Sequence, residues 1–217
     1  MNQEIINQKE YWNRELKAFD SIYTARKSSF SKWLDKVFRW DMFARYEYTF
    51  KHSEPIQNRT LLDIGCGTGV FSLEYARRNA KYVTGIDISE QMINVCINRA
   101  EKEGLSSLCE FLRSDLLEYK PNNNFDICIG IGLFDYIKEP QSVISKMCEV
   151  VTDRAIMTFP RFWTWRAPVR KVRLGLRKCA VYFYTKKRIE MLLNTAGFKR
   201  FEIEPVGKLF CVTAYVK

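Results

Sequence analysis

Three glycines, Gly65, Gly67 and Gly69, close a short apolar run in TLLDIGCGTGVFSLEYARR (residues 60–78) and lead into a helical pattern. Such a turn lets backbone N–H groups and a helix start approach a ligand with no Cβ in the way. Twenty-two residues beyond Gly65, Asp87 ends the next apolar run, YVTGIDIS. Two familiar ligand signatures do not fit. A phosphate-binding Walker loop needs a lysine that is missing. The dinucleotide pattern G-x-G-x-x-G has Val70 where its third glycine belongs. A glycine turn that binds nothing is the bland alternative.

The elements that must carry this turn are readable from texture. TLLDIG is short, apolar and closed by glycine, as a buried parallel strand is. VFSLEYARRNA follows as a helix, YVTGIDIS as a second strand, and Ser89 is placed to cap the helix EQMINVCINRAEKEG. LCEFLRSD and FDICIGIG read as strands three and four, EPQSVISKMCEVV as a helix opened by Pro140, and RAIMTFP as strand five. TKKRIEMLLNTAGF is a helix stopped at Gly197, and KRFEIEPV and LFCVTAYVK form a closing antiparallel pair. Repeated βα units predict a parallel sheet with helices on both faces. Residues 1–56 differ: no glycine precedes Gly65, and the apolar residues from Phe30 to Tyr46 recur at helical steps, predicting an N-terminal helical cap that ends at HSEPIQN. The domain boundary then falls between residues 56 and 57.

Bulk properties narrow the class. The chain of 217 residues, 47% hydrophobic and 28% charged, suits a soluble globular protein. It shows neither an apolar run long enough to span a membrane nor a signal-like N-terminus, so a cytoplasmic location is expected. Seven scattered cysteines read as reduced thiols, and a single histidine, His52, puts a site built from several histidines out of reach, so no metal is expected.

LLDIGCGTGVF resembles the first motif of class I S-adenosylmethionine-dependent methyltransferases, and residues 57–217 agree with that family throughout. The resemblance implies a Rossmann-like seven-stranded, mostly parallel sheet whose last strand is antiparallel, with S-adenosylmethionine as cofactor. It places Asp63, Gly65 and Gly67 at the methionine portion of the cofactor and Asp87 on the two ribose hydroxyls. Ile88 and Met92 would sandwich the adenine, or simply pack the core. Asp115, in RSDLLEY, would meet the adenine amino group, or cap its own turn. The chain also looks like methyltransferases of ubiquinone biosynthesis. There an arginine twenty residues before the first glycine holds the cofactor carboxylate, and a backbone carbonyl after strand four takes its amino group. Those positions are Arg45 and Leu133 here.

Methyl transfer from a sulfonium is an in-line displacement, so the acceptor end needs positioning and water exclusion more than acid–base groups. Where many relatives carry Glu-His after strand four, this chain has Asp135-Tyr136. A weaker resemblance to magnesium-protoporphyrin O-methyltransferases, through FDSIYTARKS, adds Tyr23, although that family's histidine falls on Tyr136. Tyr23, Asp135 and Tyr136 are therefore the catalytic candidates, against aromatic packing as the alternative.

Charge supplies a further clue. Between Asp153 and Glu190 there are eleven Lys or Arg and no acid, while the rest of the chain is close to neutral. Within the insertion at about 161–180, Arg166, Arg170, Arg173 and Arg177 recur at steps of four, three and four beside the stripe Trp165, Val169, Val172 and Leu176. An arginine ridge beside an apolar stripe suits an anionic amphiphile: a carboxylated lipid, a quinone precursor, an anionic membrane surface or an acidic carrier protein. The expectation is O- or C-methylation of a small hydrophobic, anionic acceptor, with nucleic acid disfavoured. The alternative is a non-catalytic cofactor-binding module acting at a membrane surface or on an acidic protein.

Overall fold

In a strand buried on both faces, alternate side chains feed two separate cores. In the computed structural model, which describes residues 40–162 and 181–217, the element order is α1 (Trp40–Ser53), β1 (Thr60–Ile64), α2 (Val70–Arg77), β2 (Tyr82–Asp87), α3 (Glu90–Lys102), β3 (Cys109–Arg113), β4 (Phe125–Gly130), α4 (Pro140–Val150), β5 (Val151–Pro160), α5 (Lys186–Ala196), β6 (Arg200–Val206) and β7 (Leu209–Tyr215). The strands form one sheet in the order β3-β2-β1-β4-β5-β7-β6. β7 runs antiparallel to both neighbours, β5 and β6, and the other pairings are parallel. This is the seven-stranded Rossmann-like α/β fold expected from the sequence.

Leu61, Ile127, Ile129, Ile156 and Cys211 point to one face, where they pack with Tyr48 and Phe50 of α1, Leu73 and Tyr75 of α2, and Ile93 and Cys96 of α3. Leu62, Cys128, Ala155, Met157 and Val212 point to the other, against Ile144 and Met147 of α4 and Ile189 and Leu193 of α5. Each buried side chain of this size stabilises the fold by about 1.5–3 kcal/mol relative to exposure. Helix α1 therefore shares a core with the sheet. It is tied there by Tyr48 Oη to Thr213 Oγ1 of β7 at 3.0 Å, and by Ser53 to Tyr75.

Local signals mark the ends. Ser89 accepts the Met92 N–H, Thr185 accepts the Arg188 N–H, Pro140 opens α4, and Gly197 closes α5 in the left-handed region at φ 97°. β5 is longer than the sequence suggested: α4 passes directly into it at Val151, four residues before the apolar run that announces the strand. Cys66, Cys96, Cys109, Cys128 and Cys211 are buried and Cys148 partly so, all as thiols. Tyr23, the arginines at 166, 170, 173 and 177, and the part of the cap before Trp40 lie outside the described residues. Among the described residues, no helix is long and apolar enough to cross a membrane.

Candidate functional site

The strand order reverses between β1 and β4, which opens a crevice at their carboxyl ends; in open α/β sheets, ligands bind there. The glycine turn follows β1 and the segment Ile131–Tyr136 follows β4, so the two meet at that crevice. Gly65 has φ 69°, and a Cβ on it would lie 3.1 Å from Leu133 Cδ1. Gly69 begins α2 at φ 77°, where a Cβ would press to 3.0 Å from Cys96 Sγ. Cys96 in turn donates to the Gly67 carbonyl at 3.1 Å. The turn is held from below by α3 as well as by its own strand.

Asp87 closes the other side. Its Oδ2 accepts the Gly67 N–H at 3.0 Å and its Oδ1 accepts the Ser89 N–H at 2.8 Å. Burial pushes its carboxyl up from the ordinary range, while the N–H groups of Ser89, Gly67 and Ile88 act in the opposite direction. A carboxylate offers about four lone-pair sites, so acceptor capacity remains after these bonds for a ligand hydroxyl. β2 pairs with β3 up to Asp87 opposite Arg113, and the Ser114 N–H then donates to the Asp87 carbonyl at 3.1 Å. Asp115 thus follows directly beside the acid, with its carboxylate capping its own turn through the Leu117 N–H at 2.9 Å. Met92 is buried, and Ile88 is partly exposed beside Asp87.

Asp63 lies under the turn. It is buried, accepts the Ser72 hydroxyl at 2.6 Å, and its carboxyl is pushed up to about 7 by burial, with Ser72 opposing and the charge of Asp87 adding to the rise. The Thr68 hydroxyl, within the turn, is fully buried and has no hydrogen-bond partner among the described residues. A positive-φ glycine cradle, a carboxylate with spare acceptor capacity and an orphaned buried hydroxyl together fit a nucleoside-bearing ligand.

On the β4 side, Gly132 donates its N–H to Thr158 Oγ1 at 2.8 Å, and Arg45 reaches from α1 until its Nη1 stands 3.2 Å from where a Gly132 Cβ would be. The structure therefore brings Arg45, Leu133, Gly65, Gly67 and Asp87 into one continuous neighbourhood. The Leu133 carbonyl accepts the Tyr136 N–H at 3.1 Å and keeps a second lone pair. Asp135 is buried and Tyr136 half-buried. The Asp135 carbonyl accepts the Tyr182 N–H at 2.9 Å, and Arg161 bridges to Tyr184. The segment that follows the basic insertion, through Tyr182 and Tyr184, thus stands next to the residues after β4. Sequence reasoning missed Thr158, Gly132, Ser72 and Cys96. Only Gly132 carried a signal, the doubled glycine of IGIG. The other three act through contacts that only the assembled fold creates.

Comparison with known proteins identifies the family and the fold. A family model described as a methyltransferase domain matches residues 56–197. The chain is 31% identical over 152 residues to human EEF1A lysine methyltransferase 2, a match covering 67% of this chain and 61% of that protein. It is 26% identical over 135 residues to the ubiquinone biosynthesis O-methyltransferase of Neisseria meningitidis serogroup C, covering 59% of this chain and 56% of the other. The chain thus spans less than two thirds of the length of these curated relatives. Among solved structures, magnesium protoporphyrin IX methyltransferase from Synechocystis PCC 6803 with bound S-adenosylhomocysteine shares the fold, with a TM-score of 0.79 at 20% identity over 99% of this chain and 100% of that one.

Proposed function

This chain belongs to the methyltransferase-domain family, the class I enzymes that use S-adenosylmethionine, and on that premise we propose that it methylates oxygen or carbon of a small, hydrophobic, anionic acceptor. The observation that carries the cofactor site is the clasp between Gly67 and Asp87, which fixes a ribose-accepting carboxylate against the glycine turn. When bound, S-adenosylmethionine supplies a methyl group on a positively charged sulfur, which departs as a neutral thioether when an acceptor lone pair takes the methyl.

The chain's own residues hold and exclude. Asp87 accepts the ribose hydroxyls, and Gly65 and Gly67 admit the methionine portion where a side chain would collide. Arg45 faces the carboxylate and the Leu133 carbonyl the amino group. Met92 and Ile88 flank the base, with Asp115 at its edge. Asp63, under the turn, supports it. Asp135 and Tyr136 orient the acceptor or take its proton, and Tyr23 would join them from the N-terminal cap, residues 1–56. In-line alignment with exclusion of water can account for most of the rate, because well-oriented reactants gain on the order of 7–11 kcal/mol over free encounter.

The basic insertion supports an anionic acceptor, since Tyr182, which follows it, bonds Asp135. The same ridge would serve a peripheral contact with an anionic membrane or an acidic carrier protein. A second reading, a protein lysine acceptor, is favoured by the 31% identity to a lysine methyltransferase. The test is production of S-adenosylhomocysteine on incubation with S-adenosylmethionine and three acceptor sets: anionic lipids and phenolic quinone precursors, carrier-bound acyl chains, and a lysine-rich protein extract. Turnover with the first or second set supports the proposal. Turnover with protein alone overturns it in favour of the lysine reading.

A further inference from the structure

Where the last turn of α1 meets the edge strand β6, three groups that the methyl transfer does not use come together. His52 Nε2 and one carboxylate oxygen each from Glu202 and Glu204 lie within 4.8 Å of one another. The two glutamates are two residues apart on β6, so they share a sheet face. It is the face on which α1 sits, because Glu202 pairs with Thr213 on β7 and Thr213 binds Tyr48 of α1.

The histidine is held in one orientation. Its ring stacks on Tyr48 with centroids 3.9 Å apart and planes 22° from parallel, and its Nδ1 lies 3.0 Å from the Tyr48 carbonyl. A carbonyl can only accept, so Nδ1 carries a proton and Nε2 is the nitrogen turned towards the glutamates. Metal-binding histidines are oriented in this way, with the outer ring nitrogen donating to a backbone carbonyl or carboxylate.

The spacing is compatible with an ion pair and with a ligand set. His52 Nε2 stands 3.5 Å from Glu204 Oε1, longer than the roughly 2.7–3.2 Å of an N–H···O bond. Two ligand atoms each about 2.0–2.1 Å from a tetrahedral zinc ion are about 3.3–3.4 Å apart, the edge of the tetrahedron. Among the described residues, no lysine or arginine pairs with Glu202 or Glu204. Of the nearby guanidinium groups, Arg200 lies over the ring of Tyr215, while Arg154 pairs with Asp153 and donates to the His52 and Glu54 carbonyls. Two negative charges therefore share one histidine, and a dication would balance them. Glu204 is half exposed, which leaves a path for an ion.

We propose that His52, Glu202 and Glu204 bind a first-row divalent ion, zinc being the best match, with water as the fourth ligand. The imidazole nitrogen selects against magnesium and calcium, which prefer all-oxygen sites. The ion would clamp the end of α1, the helix that carries Arg45, to the sheet edge.

The test is calorimetric titration of tag-free protein with zinc chloride, together with the visible spectrum of its cobalt(II) complex. The expected result is one site, with affinity at least tenfold weaker in His52→Gln and in the double variant Glu202→Gln, Glu204→Gln. Both glutamates are exposed, so the double variant tests the site even if the histidine variant does not fold. The cobalt spectrum should show ligand-field bands without the near-ultraviolet band of cobalt–thiolate charge transfer. Absence of binding by the wild type, unchanged affinity in the glutamate double variant, or a thiolate band placing the ion on cysteine would each overturn the proposal. Binding of S-adenosylhomocysteine is a separate readout and decides nothing about this site.

Discussion

The Asp87 carboxylate accepts the Gly67 N–H at 3.0 Å, so the group that can hold a ribose also fastens the glycine turn to the end of β2. Ser89 takes its other oxygen at 2.8 Å. On the proposed reading one side chain serves both structure and ligand binding, and two substitutions should separate them. Asp87→Asn keeps one acceptor oxygen for these N–H groups, whereas Asp87→Ala leaves both without their partner. Urea denaturation should find the alanine variant less stable than the asparagine variant by about 1 kcal/mol. Equal stability would mean that the clasp contributes nothing to holding the turn.

Gly65→Ala faces two obstacles. Its φ of 69° costs a residue with a Cβ about 1–2 kcal/mol, and that Cβ would meet Leu133 Cδ1 at 3.1 Å. The variant should be destabilised by that amount and should lose cofactor affinity. Adding Leu133→Ala relieves the contact but not the backbone strain, so recovery should be incomplete. Wild-type stability in Gly65→Ala, measured by thermal melting, would contradict the geometry of the turn.

Asp63 gives a pH signature. Its folded-state carboxyl, pushed up to about 7, binds a proton that the unfolded chain has already released. A carboxyl raised in the folded state costs stability as pH climbs from the unfolded value towards the folded one, and the loss levels off above it. Asp63→Asn keeps an acceptor for Ser72 and removes the titration. The stability difference between variant and wild type should therefore grow in favour of the variant between pH 5 and pH 8, by on the order of 2 kcal/mol. A difference independent of pH would show that Asp63 does not titrate in this range.

The Tyr48–Thr213 bond anchors α1 to β7 at 3.0 Å in the core. Tyr48→Phe leaves the Thr213 hydroxyl buried and alone, which costs about 1–3 kcal/mol. Thr213→Val in that background should restore most of the loss, because a buried pair replaced on both sides leaves nothing unsatisfied. Additive losses in this double-mutant cycle, followed by chemical denaturation, would argue against the pairing.

Most of the architecture was legible because the strands and helices announce themselves locally. Gly65 to Asp87 sits within one βα unit and its neighbour, so the turn and its acid were readable as a pair from local spacing. The resemblance named the cofactor they would hold. Arg45 was reached only by resemblance, yet the fold sets it against Gly132, 87 residues away in the chain. The bonds of Tyr48 to Thr213 and Thr158 to Gly132 left no trace in the sequence, since each joins distant segments through ordinary residue types. The start of β5 was misplaced by three residues because Val151–Asp153 alternates weakly and borrows its strand character from pairing with β4. Asp115 caps its own turn, the second of its two readings. The acceptor is the least legible part, since it depends on the shape of a cavity and not on spacing along the chain.

Calorimetric titration of S-adenosylhomocysteine into wild type and Asp87→Ala tests the central claim most directly. The account predicts micromolar binding at one site in the wild type and a loss of at least tenfold in the variant. Undiminished binding by folded Asp87→Ala, or no binding by folded wild type, would contradict the assignment of the glycine turn and its carboxylate as the cofactor site.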